Sequence, residues 1–176
     1  MPPISQLDQF LEDNSDIEMF EILLHDLNGI QRGKWLPKDK IHKVFNGGFK
    51  MPLSSCSFDC WGRDQEELIK ATGDADGICV PHAETLARVP WAEKATGQMI
   101  ISMGNESGDG PYGGDCRSVL KSVVDRFGQL GLTPVAASAM EFHLLSLQQL
   151  KFVLPPHSQT ASQGSTAIAG HHGRTA

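Results

Sequence analysis

The chain has 176 residues, 40% of them hydrophobic, a formal net charge of −6 and four cysteines. That length suits one ordinary domain or two small ones, with enough apolar content for a packed core. The acidic balance, with no basic cluster, argues against nucleic acid as a partner, and no apolar run approaches the roughly 20 residues that span a bilayer.

Ser5 is expected to cap a short helix with Leu7, Phe10 and Leu11 on one face. Residues 1–14 lack the basic and apolar regions of a secretory signal. Residues 17–27 are apolar-rich and predict a strand. Asn28-Gly29 predicts a hairpin turn, because both residues tolerate positive φ, and residues 30–36 form the return strand. A short helix runs from Pro37 to Phe45 and closes at Gly47-Gly48. Residues 49–61, FKMPLSSCSFDCW, read as a loop entering a strand, and residues 63–70 as a charged, exposed stretch. Asp74 to Gly77 predicts a turn. It contains half of a calcium-loop pattern, but Ile78 stands where a third oxygen ligand belongs.

Residues 78–80, 85–89 and 98–103 are short strand candidates separated by Pro81, Pro90 and Gly97. Residues 104–115, GNESGDGPYGGD, read as a glycine-rich linker. Asp115 is placed to cap a helix from Arg117 to Leu130, in which Val119, Leu120, Val123, Val124, Phe127 and Leu130 follow helical spacing. Gly131 suits its C′ position. Residues 132–145, LTPVAASAMEFHLL, predict a strand with Ala139, Glu141 and His143 on one face. Residues 146–176, above all from Ser158 on, read as disordered, being rich in small polar residues.

Several motifs invite chemistry and meet a plainer alternative. Gly108, Gly110 and Gly113 spell GxGxxG, which suggests a dinucleotide loop and a nicotinamide oxidoreductase. Glu106, Asp109 and Asp115 oppose a pyrophosphate, and Pro111 removes a donor, so a linker fits better. His157, His171 and His172 lack the defined spacing of a structural zinc site. Trp35, Trp61 and Trp91 read as core or interface aromatics. Cys56, Cys60, Cys79 and Cys116 form no CxxC pair and read as reduced thiols of a cytoplasmic protein.

Three blocks together carry a resemblance: HDLNGIQRGKWLPKDKI (residues 25–41), FKMPLSSCSFDCWG with TGDADGICVPHAETLARVPWA (within residues 49–92), and DCRSVLKSVVDRFGQLGLTPVAASAMEFHLL (residues 115–145). They resemble the N-terminal third of the glutamine synthetase family, nearest its γ-glutamylpolyamine synthetase subgroup. The resemblance implies an α+β fold. An N-terminal helix or tail (residues 1–15) precedes a β-grasp domain (residues 16–103). The linker (residues 104–115) leads into the start of a truncated catalytic domain (residues 116–145), a helix followed by that domain's first strand, and residues 146–176 form a tail.

It further implies ATP-dependent formation of a γ-glutamyl amide from glutamate and ammonia or an amine. Mg²⁺ or Mn²⁺ would serve at a site between subunits of a homo-oligomer. The family's Glu-x-Glu metal pair falls on Ala139 and Glu141, so only Glu141 is carried over as a ligand. The paired serines Ser54 and Ser55 are carried over as a substrate loop, but Pro52-Leu53 replaces the acidic residue and glycine before them. No catalytic residue is carried over, because the remaining ligands, the ATP site and the glutamate-binding arginines lie further along in the family. The expectation is a truncated, inactive ligase fragment that does not itself bind ATP and metal. The alternative is a non-catalytic β-grasp module that associates with full-length ligase subunits.

Overall fold

The computed structural model describes residues 3–141. Alternation of apolar and polar residues builds the central strand, β1 (Met19–His25). Phe20, Ile22 and Leu24 are fully buried on one face, with half-buried neighbours between them. The chain then turns through Asp26–Ile30 into β2 (Gln31–Pro37), antiparallel to β1 with His25 opposite Gln31. The loop is a type I turn closed by a glycine, since Gly29 N–H donates to Asp26 C=O and only Gly29 takes positive φ, at 73°. Asn28 therefore keeps negative φ, unlike the two-residue turn expected from Asn-Gly.

The remaining strands are β3 (Lys50–Pro52), β4 (Asp76–Pro81), β5 (Ala87–Arg88) and β6 (Thr96–Met103). The sheet order is β2-β1-β6-β4-β3, with β5 also on β6. β1 and β6 run parallel, with Met19 opposite Thr96, and the other pairings are antiparallel. Two helices cover the apolar face, α1 (Pro3–Asp13) and α2 (His42–Phe45). Leu7, Ile41 and Val44 join Phe20, Ile22 and Met99 in one core. The class is α+β.

Local expectations meet several corrections. Pro3 opens α1, where its missing N–H costs nothing, so Ser5 lies inside the helix and is not its cap. Residues 85–89 split into a 3-10 turn (Ala83–Thr85) and the two-residue β5. The exposed stretch ends in α3 (Glu66–Thr72), which carries Glu66 and Glu67 in its first turn, Lys70 in its last, and Gly73 at φ 62° after it. The turn at Asp74, φ 50°, gives way to strand at Asp76. Trp35, Trp61 and Trp91 are all exposed and take no part in the core.

Residues 104–115 fold back on the sheet. Gly104 N–H donates to Ile78 C=O, Asn105 N–H to Gly110 C=O, and Tyr112 N–H to Met103 C=O. Asp115 then caps α4 (Cys116–Gln129) by accepting from Ser118 N–H at 2.9 Å. Gly131, φ 68°, ends it in a Schellman motif: Gly131 N–H donates to Gly128 C=O and Leu132 N–H to Phe127 C=O.

The chain divides into a first unit, Met1–Thr133, and a second, Pro134–Ala176. The expected strand over residues 132–145 does not form across residues 132–141, which carry no ladder. A strand needs a hydrogen-bonded neighbour for its N–H and C=O groups, and among the described residues none pairs with this segment. Residues 142–145, with His143, and the expected tail lie outside the described residues.

Candidate functional site

The paired serines sit in a 3-10 turn, Leu53–Cys56, that follows β3. Met51, Leu53 and Cys56 face the core, so the turn is anchored by apolar side chains at both ends. Ser55 is buried and Ser54 half-buried. Ser54 C=O accepts from Ser57 N–H at 2.9 Å and from the Ser57 hydroxyl at 3.3 Å.

The hairpin tip clasps this turn. Leu27 N–H donates to Cys56 C=O at 3.2 Å, and the Asn28 amide donates to Phe58 C=O at 2.8 Å and Asp59 C=O at 3.2 Å. The tip is itself organised by Asp26, which is 1% exposed. Its carboxylate accepts from Asn28 N–H at 2.9 Å, Ile30 N–H at 2.9 Å and Arg32 Nε at 3.0 Å. Arg32 also lies 4.5 Å over the Phe58 ring. A buried carboxylate paired with arginine and two backbone donors is a rigid support, and Asp26 and Arg32 were both missed from sequence. The available signal was an aspartate just before the turn with an arginine on the return strand.

A cavity of about 740 Å³ lies beside the first turns of α4, lined by Val80, His82, Ser102, Arg117, Leu120 and Val124 among others. His82 Nε2 lies 2.6 Å from Ser102 Oγ, and its Nδ1 lies 3.3 Å from the exposed Glu84 carboxylate. This bond ties the end of β4 to β6. Across the cavity, the GxGxxG segment spends its polar groups on itself. Asn105 Oδ1 accepts from Gly108 N–H, and Asp109 accepts from Asn105 and the Ser107 hydroxyl. Those two side-chain bonds hold the Asp109 carboxyl below its usual range. An ionised aspartate at the loop's tip suits no pyrophosphate.

Glu141, the carried-over metal ligand, belongs to the second unit, where it is exposed at the last described position with Ala139 two residues before it. Among the described residues no three His, Cys, Asp or Glu side chains converge as a metal requires. These residues therefore do not fit the divalent metal site that the family implies. The thiols of Cys56 and Cys79 are buried, and burial pushes each up to about 12, which leaves them inert rather than ligating. Among the described residues no helix is long and apolar enough to cross a membrane.

Comparison with known proteins defines the class. The chain is homologous to the glutamine synthetase family of ATP-dependent glutamate ligases. The γ-glutamylputrescine synthetase PuuA of Escherichia coli (strain K12) is 33% identical over 146 residues, covering 82% of this chain and 30% of that enzyme. The glutamine synthetase of Pyrococcus abyssi (strain GE5 / Orsay) is 25% identical over 124 residues, covering 70% of this chain and 25% of that protein. Among solved structures, GmaS in complex with ADP superposes with a TM-score of 0.56 at 27% identity, over 70% of this chain and 26% of that one. GmaS without ligand gives a TM-score of 0.54 at 26% identity, with the same coverage. The chain thus spans 30% or less of the length of these relatives. No protein-family model matches it.

Proposed function

We propose that this chain carries the N-terminal part of a glutamine-synthetase-like ligase and that its 176 residues do not perform the ligation alone. The reaction of the whole ligase is ATP-dependent joining of the glutamate γ-carboxylate to an amine, with Mg²⁺ or Mn²⁺. The match to γ-glutamylputrescine synthetase favours an alkylamine, and so does Pro52-Leu53 in place of an acidic residue before the serine turn. The reading is supported by this homology together with Ala139 and Glu141 at the positions where the resemblance expects two carboxylates, so that the pair keeps one. A lone carboxylate cannot hold two hard cations against transferring phosphoryl charge.

Residues 16–103 form a β-grasp domain in this reading. Support comes from two central strands, the first and the last of the sheet, that run parallel, with a hairpin partner beside the first. Residues 104–115 connect it to the start of the catalytic domain, residues 116–145. Ser54 and Ser55 belong to the amine-side loop, held in place by the Asp26–Arg32 hairpin tip. Purified chain incubated with ATP, Mg²⁺, glutamate and either ammonia or putrescine is expected to release no phosphate above the protein-free rate. Steady turnover abolished by Glu141→Ala would overturn the proposal.

A further inference from the structure

The polar side chains around the cavity beside α4 are almost all spent on one another. His82 and Ser102 bond to each other at 2.6 Å, and Asp109 accepts from Asn105 and Ser107. The Ser118 hydroxyl donates to Asp115 at 2.6 Å, and Lys121 pairs with Asp125 at 2.7 Å. Arg117 is the exception. Among the described residues it has no hydrogen-bond or ion-pair partner, although its Nε is buried. A charged N–H taken out of water without an acceptor is costly. Its place in the chain adds to the cost. Arg117 is the second residue of α4, at the positive end of the helix dipole, where an anion is favoured and a cation is not. The neighbouring carboxylate does not offset this, because Asp115 turns one oxygen to Ser118 and makes no ion pair with Arg117.

We infer that this cavity binds a small carboxylate with an apolar body, its oxygens on the Arg117 guanidinium and its chain along Val80, Leu120 and Val124. Charge chooses the head group. Lys121 and Asp125 cancel, and Asp109 is held ionised by its two side-chain donors, so the lining offers one unopposed cation and repels a second negative charge. A single carboxylate fits that balance, and a phosphate or diphosphate does not. A guanidinium also matches a carboxylate in shape, with parallel N–H groups facing its two oxygens. The walls choose the body, since Val80, Leu120 and Val124 offer it no polar group. The volume of about 740 Å³ falls within the range of small-molecule sites, and all of the lining belongs to the first unit. The site is separate from the serine turn, and the inference holds whether or not the chain takes part in ligation.

The test is titration of the full, isotope-labelled chain with hexanoate, followed through the Arg117 Nε–H resonance and by calorimetry. Hexanoate is expected to move that resonance and to bind with single-site stoichiometry at millimolar concentration. Hexanamide, of the same size but neutral, should bind at least tenfold more weakly, and so should inorganic phosphate. Arg117→Gln should abolish hexanoate binding and leave the unfolding midpoint unchanged or raised, because it removes an unsatisfied charge. An Arg117 resonance unmoved by tens of millimolar hexanoate in the unaltered chain overturns the inference. So does equal binding of hexanamide, or hexanoate binding retained in the glutamine variant. Nuclear Overhauser contacts from the Arg117 Nε–H to residues beyond Glu141, or to a second copy, also overturn it, since the guanidinium then has a protein partner.

Discussion

Removing the Asp26 carboxylate is the sharpest test of how the serine turn is held. In Asp26→Ala, the Asn28 and Ile30 N–H groups lose their acceptor and Arg32 loses its ion partner. Both N–H groups are part-buried, so each falls at the low end of the about 1–3 kcal/mol for an unsatisfied group. Arg32 regains water, because its side chain is 28% exposed, and adds about 1 kcal/mol. The sum, about 3 kcal/mol, sits at the lower edge of the values for breaking a buried pair. Asp26→Asn keeps an oxygen for both N–H groups but turns its amide donor toward Arg32 Nε–H, and should lose about 2 kcal/mol. Urea unfolding followed by far-ultraviolet circular dichroism reads both, with the alanine variant's midpoint about 1–2 M lower. If alanine and asparagine cost the same, or alanine costs under about 1 kcal/mol, the tip is not organised by those three bonds.

Three further perturbations follow from the same contacts. Gly33→Ala places a Cβ 1.7 Å from Ile22 C=O at φ 151°, so β1 and β2 must separate. A loss of about 3 kcal/mol or more is expected, and an unchanged unfolding midpoint would contradict the register. Leu7→Ala empties a fully buried site under α1 and should cost about 2–4 kcal/mol, read by the same unfolding curve. The Cys56 and Cys79 thiols are raised by burial from an ordinary 9.0 to about 12 in the fold, so the folded chain keeps them neutral while the unfolded chain ionises them. The sign follows: this stability is complete below pH 9, declines as pH rises, and is gone above about 12. Unfolding midpoints at pH 8 and pH 10.5 should differ, and the difference should shrink in Cys79→Ala.

What the sequence made legible was local chemistry. The β1–β2 hairpin, the strand at β6 and the capped helix α4 with Gly131 behind it each follow from residues close in the chain. The α3 helix escaped notice because its signal is charge placement around Gly73, not an apolar stripe. The strand expected over residues 132–145 rested on alternation and on the resemblance, and neither supplies the neighbour that a ladder needs. The Asp26–Arg32 support was hidden for a related reason. Its value comes from burial beneath residues 56–59, contacts some thirty positions away in the chain. Of the candidate site, the serines were expected in a loop entering a strand, whereas the strand β3 comes first and the serines lie in the 3-10 turn behind it, and Glu141 stands at an exposed position without a converging set among the described residues.

The described residues offer no set of side chains that would hold a divalent metal by themselves. Titration of Mn²⁺ into the purified chain, with and without ATP and followed by electron paramagnetic resonance, tests it most directly. Added Mn²⁺ is expected to keep the spectrum of the protein-free solution up to millimolar metal. Stoichiometric binding at micromolar metal that disappears in Glu141→Gln would contradict it.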